Sequence, residues 1–230
     1  MSQSSPLPAP SVQADRLVEL GVQQILGVDP QVVAAAGQDL ERVVATGSSV
    51  VGSLELNPVW PLLVPSREGL DYAALLSLVE VNSKPGFVVE DLRDLDSFLP
   101  TADADVPEDA WYGLVHPVRG DEYQNASPAE ALTQILAAGR TPMTFVEGLF
   151  WLLAQPETLS RNNCFMTIGS RRIKPNGEFD SRTLAYWISN GTGRDGADAK
   201  NAPKLGWCWW NNRHTWLGIA HASHRIAPQD

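Results

Sequence analysis

Two hundred and thirty residues, 43% hydrophobic and 19% charged, suffice for one large domain or two small ones and sit near the globular average, which argues against wholesale disorder. No apolar run approaches the roughly 20 residues of a spanning helix, so no membrane partner is expected. Residues 1–11 lack a basic start and an apolar core, so no signal peptide is expected; with only Cys164 and Cys208 there is no disulfide framework, and the expected compartment is the cytoplasm.

The net charge of −10 conceals a split, with −15 on residues 1–159 and +5 on residues 160–230. The same last third holds three of the four histidines and five of the eight tryptophans. A separate anion-binding surface would produce this asymmetry. So would a basic third that packs on the acidic remainder and is neutralised there.

In chain order, residues 1–10 are Ser/Pro/Gln-rich and read as a disordered tail. Ser11 then caps a helix with apolar positions Ala14, Leu17, Val18, Gly21, Val22 and Ile25, ending at Gly27. Asp29-Pro30 opens a second helix that ends at Gly47, so residues 11–47 form a helical hairpin. The stretches 60–64, 86–89 and 111–115 read as strands and 72–81 as a helix, which together make a small mixed central sheet. Ser127 with Glu130, and Thr144 with Glu147, are capping boxes that open helices ending at Gly139 and near Gln155. Beyond Pro156, residues 164–168, 184–189, 205–210 and 216–220 read as strands. Asn211-Asn212-Arg213 predicts a hairpin between the last two. The expected fold class is α+β: an N-terminal helical hairpin, a small mixed central sheet, a capped helix pair and a C-terminal antiparallel Trp-rich sheet. Residues 58–230 form the α+β core, with the basic Trp-rich part at 160–230.

The strings Lys204-Leu205-Gly206-Trp207-Cys208-Trp209 and His214-Thr215-Trp216-Leu217-Gly218, with Arg119-Gly120-Asp121-Glu122 and Gly139-Arg140-Thr141-Pro142 before them, resemble an uncharacterised actinobacterial protein family. The resemblance covers about residues 60–222 and implies a bacterial setting, but no activity.

Candidate chemistry concentrates near the C-terminus. Side chains alternate along a strand, so Trp207 and Trp209 share one face and Cys208 and Trp210 the other, with Trp216 on the expected partner strand. One row packs the core; the other can stack on a ring, flanked by Lys204, Arg213 and His214. Arg171 and Arg172, in a basic turn with Lys174, can hold a carboxylate or phosphate by two-point hydrogen bonds, or simply pair with the acidic part. These residues (Arg171, Arg172, Lys204, Trp207, Trp209, Trp210, Arg213, His214 and Trp216) are the expected ligand site. The ligand is a small anionic or aromatic molecule, or an acidic protein partner.

Gly191-Thr192-Gly193-Arg194-Asp195-Gly196 matches G-x-G-x-x-G, yet the helix such a site needs is not expected after it, and a flexible loop fits better. No cofactor and no metal is expected; Cys164, Cys208, His214, His221 and His224 lack the close pairings of a zinc site. The helix at 145–155 offers no groove-reading side chain, which excludes sequence-specific DNA binding through it. A non-catalytic cytoplasmic binding or scaffolding protein is thus the first expectation. An enzyme using Cys208 and His214, or a metal, is the second. The third is an assembly protein in which the 145–153 helix and the N-terminal hairpin form an oligomer interface.

Overall fold

Proline and glycine punctuate the first part of the chain. The computed structural model describes residues 6–47, 59–66 and 69–228, so residues 1–5 of the expected tail and the boundary at Pro58 lie outside the described residues. Pro10 takes the first position of α1 (Pro10–Glu19), where its missing N–H would be unpaired anyway. The single helix expected from Ser11 to Gly27 is two helices. Gly21, at φ +80°, ends the first, and α2 (Val22–Leu26) follows. Ser11 is not the cap. It lies in the first turn, and its N–H and hydroxyl both donate to Glu41 Oε1, at 2.9 and 2.5 Å, on α3 (Pro30–Gly47). Asp29 does cap α3, accepting from Gln31 N at 2.8 Å. The hairpin docks on the rest of the chain through the Gln13 amide, which donates to Pro61 O and accepts from Leu63 N, and through Arg16 Nε, 2.6 Å from Leu153 O. The Pro6 and Pro8 carbonyls accept from Gln155 and Gln13, so the described part of the expected tail is tied to the body.

The remaining helices are α4 (Tyr72–Ser77), α5 (Pro128–Ala137) and α6 (Phe145–Ala154). Both expected capping boxes open α5 and α6, each with reciprocal side-chain and backbone bonds. The strands are β1 (Leu62–Pro65), β2 (Glu80–Val81), β3 (Lys84–Pro85), β4 (Phe87–Val88), β5 (Phe98–Pro100), β6 (Trp111–Val115) and β7 (Thr141–Pro142). They continue with β8 (Cys164–Thr167), β9 (Ser170–Arg172), β10 (Arg182–Ile188), β11 (Pro203–Trp209), β12 (Leu217–Ile219), β13 (His221–Ala222) and β14 (His224–Ile226). One sheet runs β1-β6-β14 and a larger mixed one runs β12-β8-β10-β11-β4, with β10 antiparallel to both β8 and β11. The class is α+β, as expected. No helix among the described residues is long and apolar enough to cross a membrane.

Two pairings differ from expectation. The strands at 60–64 and 111–115 pair with each other as β1 and β6, but the one at 86–89 leaves them to lie parallel to β11 at the edge of the larger sheet. The hairpin expected across Asn211-Asn212-Arg213 does not form. β11 is flanked by β10 and β4, while β12 runs parallel to β8 three strands away. A local turn signal loses here to distant packing. Ile219 N donates to Gly120 O, Ala220 N donates to Met166 O, and a Cβ on Gly218 would lie 2.4 Å from Arg119 O. That strand fits only beside the Arg119-Gly120 turn.

α6 is apolar on nearly every side and buried accordingly. Phe150 meets Trp111 of β6 edge-on at 6.4 Å, and Trp151 meets Phe165 of β8 at 5.6 Å, so the helix lies between the two sheets. Residues 147–153 are all buried, which leaves this helix no free face for the oligomer interface considered from sequence. Glu147, fully buried, closes the cap with Thr144 N at 2.7 Å and takes a two-point contact from Arg225 of β14, Nε to Oε1 at 2.6 Å and Nη2 to Oε2 at 2.8 Å. Tyr112 of β6 donates to the same carboxylate at 3.0 Å. Glu147→Gln keeps the cap but strands the Arg225 charge, and is expected to lower unfolding free energy by about 3–5 kcal/mol. The double variant E147Q/R225M should lose less than the sum of the single variants, as urea midpoints of all four proteins would show.

Candidate functional site

β9 and the chain after it form a hairpin around the basic turn expected at Lys174. Ile173 bridges Phe179 across a turn in which Gly177, at φ +82°, donates to Lys174 O at 2.9 Å. Asn176-Gly177 between alternating residues was the signal for it. On its other side β9 pairs with β5, Leu99 opposite Arg171. Alternation therefore places Leu99, Arg171, Ile173 and Phe179 on one face of the ribbon.

Arg171 is the unusual residue of that face. It is 7% exposed, with its guanidinium 3.6 Å from the ring centre of Trp210 and 4.8 Å from that of Phe179. Nη2 donates to Asp180 O at 2.6 Å; Nε is buried with no partner, and no carboxylate among the described residues is within ion-pair distance. Burial lowers its pKa from 12.5 to about 10, opposed by the nearby Asp180 charge, so it remains a cation at neutral pH. It lines a cavity of about 440 Å³ together with Leu132, Ile168, Phe179, Ser181 and Trp210.

The other predicted cations are paired. Arg172 contacts Asp94 at 2.5 Å and Asp180 at 3.4 Å, and Arg182 joins the same two carboxylates at 2.6 and 3.0 Å. Hydrogen bonds from Arg182 hold both aspartates below the usual carboxylate range, against the opposing effect of burial. Lys204 sits 2.5 Å from Asp195 and 4.8 Å from the centre of Trp187, and Arg213 pairs with Glu130. The basic third is thus extensively neutralised by carboxylates, several of them from the acidic part.

The tryptophans divide among three places. Trp210 belongs to the Arg171 cavity. Trp207 lies edge-on to Trp209 at 4.7 Å, as alternation predicted, and with Trp187 and Lys204 lines the 550 Å³ groove beside β4. Trp209 is 47% exposed. Trp216 packs against Trp187 and against His214, whose Nε2 is buried without a partner. The predicted residues therefore do not form one site. Phe179, Leu132 and Ile168, which complete the Arg171 cavity, were not singled out.

The DUF5701 family, a family of unknown function, matches residues 16–228. The chain belongs to that family. No curated protein and no solved structure matches it. Every described residue of the DUF5701 chain that lines the Arg171 cavity falls within the matched region.

With no hairpin at 211–213, Cys208 and His214 are not brought opposite each other, which removes the geometry considered for a nucleophile and base. Burial pushes the Cys208 thiol up to about 12, against a small opposing effect of Lys204, and raises Cys164 as well. His221, considered for zinc, is buried with both ring nitrogens engaged: Nδ1 accepts from Arg140 Nε at 2.6 Å and Nε2 faces Glu122 at 2.8 Å. Among the described residues no group of three or more His, Cys, Asp or Glu is arranged to hold a metal ion. The G-x-G-x-x-G stretch carries only two short 3-10 turns, Gly193–Asp195 and Ala197–Ala199, so no helix start faces a phosphate there. Its Asp195 is fastened to Ser189 and Lys204.

Two outcomes follow. Burial holds the Cys208 thiol up at about 12 and leaves little thiolate near pH 8, so maleimide should label the native protein slowly and both thiols rapidly in urea, as mass spectrometry would count. Burial also lowers the pKa of His214 and His221 below 6.5, although Glu122 opposes this at His221. The unfolded chain then binds more protons below pH 6.5, and stability falls as pH drops from about 7 to about 5. Urea midpoints across that window should show the slope, and the H214Q/H221Q variant should flatten it.

Proposed function

We propose that this DUF5701 chain is a non-catalytic binding protein that holds the acid group of a small ligand at Arg171. The observation that carries this reading is a guanidinium nine-tenths buried against two aromatic rings, beside a cavity, with no carboxylate of the described residues within ion-pair distance. Removing such a charge from water costs several kcal/mol, and stacking on rings returns only part of that. An anion entering the cavity supplies the missing partner through two parallel N–H bonds. The raised thiol pKa values and the absence of the hairpin that would have set Cys208 opposite His214 favour binding over covalent catalysis. The free thiols and the resemblance to actinobacterial proteins support a bacterial cytoplasm as the setting.

The test is Arg171→Met, which keeps a long apolar body between the rings and removes the charge. The expected result is a thermal midpoint equal to or above that of the parent, with loss of at least tenfold in affinity for a simple carboxylate such as butyrate by titration calorimetry. A large fall in the midpoint, with no carboxylate binding to the parent protein, would make Arg171 a purely structural residue.

A further inference from the structure

We infer that the ligand is a monocarboxylic acid with an apolar body, the carboxylate held at Arg171 and the body lying on the Leu99, Ile173 and Phe179 face. This rests on the binding role proposed for Arg171 and names its ligand class. Charge decides the head group. Arg171 is one cation, while Asp103 and Asp180 also line the cavity; one negative charge balances the guanidinium, and a second would meet carboxylates. Geometry agrees. Nε is sealed in and one Nη2 proton is spent on Asp180 O, so the guanidinium presents its Nη1 and Nη2 end, which matches the two oxygens of a single carboxylate.

The body of the ligand is read from what surrounds that cation. Leu99 is 44% exposed, Ile173 63% and Phe179 50%, three large apolar side chains on the same ribbon face as a buried arginine. Leu132 and Ile168 continue the apolar surface into the cavity wall. Exposed apolar side chains gathered around a buried charge point to an amphipathic ligand that covers both. The volume of 440 Å³ falls in the roughly 300–1,000 Å³ range of small-molecule sites.

Calorimetric titration of the full chain with acetate, octanoate, octanamide and inorganic phosphate tests this. Octanoate should bind at least tenfold tighter than acetate, and octanamide and phosphate at least tenfold weaker than octanoate. The variant L99S/I173S should narrow the ratio of octanoate to acetate affinity to less than threefold. Octanoate and N-acetylleucine separate the two sources of this chemistry, a free acid and a peptide carboxyl terminus, and the tighter of the two names the source. Equal binding of acetate and octanoate, or phosphate tighter than octanoate, overturns the inference while Arg171 still stands as an anion site. Binding of neither carboxylates nor phosphate overturns both.

Discussion

A carboxylate buried at the start of the central helix must be satisfied from all sides, and Glu147 is. It serves as the third residue of a capping box, as the acceptor for Tyr112 and as the two-point partner of Arg225. Arg225 also donates to Thr141 Oγ1, Pro142 O and Ala104 O, so one ion pair ties α6 to β6, β7, β14 and the 101–110 connection. A buried pair of this kind need not stabilise the fold more than an apolar pair would. What it does is fix relative position, because every hydrogen bond is lost if the last strand slips against the helix.

The position of the Arg171 cavity follows from that anchoring. Phe145 N, in the first turn of α6, donates to Ser170 Oγ at 3.1 Å, and Gly169 N donates to Met143 O just before the helix cap. Thr101 N in turn donates to Gly169 O. The first residue of β9 is thereby pinned to the helix start, and Arg171, the next residue, points from a fixed origin. Trp210 comes from the far side, where its N–H donates to Ser181 O at 2.7 Å. The two rings that enclose the guanidinium are thus held by separate parts of the chain, one on the ribbon and one after β11.

What was legible in the sequence was local. The two capping boxes, the Asp29 cap, the strand at 111–115 and the shared face of Trp207 and Trp209 all depend on residues within a few positions of one another, and all stand in the structure. What was not legible was pairing between distant segments. Asn211-Asn212 carries a turn signal, yet the choice of β8 over β11 as the neighbour of β12 is made by the Arg119-Gly120 turn, about a hundred residues earlier. The charge split was visible, but only the structure distinguishes Arg172, Lys204 and Arg213, each met by a carboxylate, from Arg171, which is not. That distinction depends on which carboxylates the fold brings near, and composition carries no record of it.

Arg225 and Arg171 make the contrast within one chain. Both are guanidinium groups largely withdrawn from water, so both incur the same kind of desolvation penalty. At Arg225 the carboxylate of Glu147 more than offsets burial and the pKa rises; at Arg171 burial prevails and the pKa falls. A methionine between Phe179 and Trp210 would fill much the same space without the penalty. A fold that keeps a charge where an apolar side chain would pack as well gives up stability for something outside its own packing, and under the binding role proposed for Arg171 the open cavity beside that charge is where the compensating group would enter.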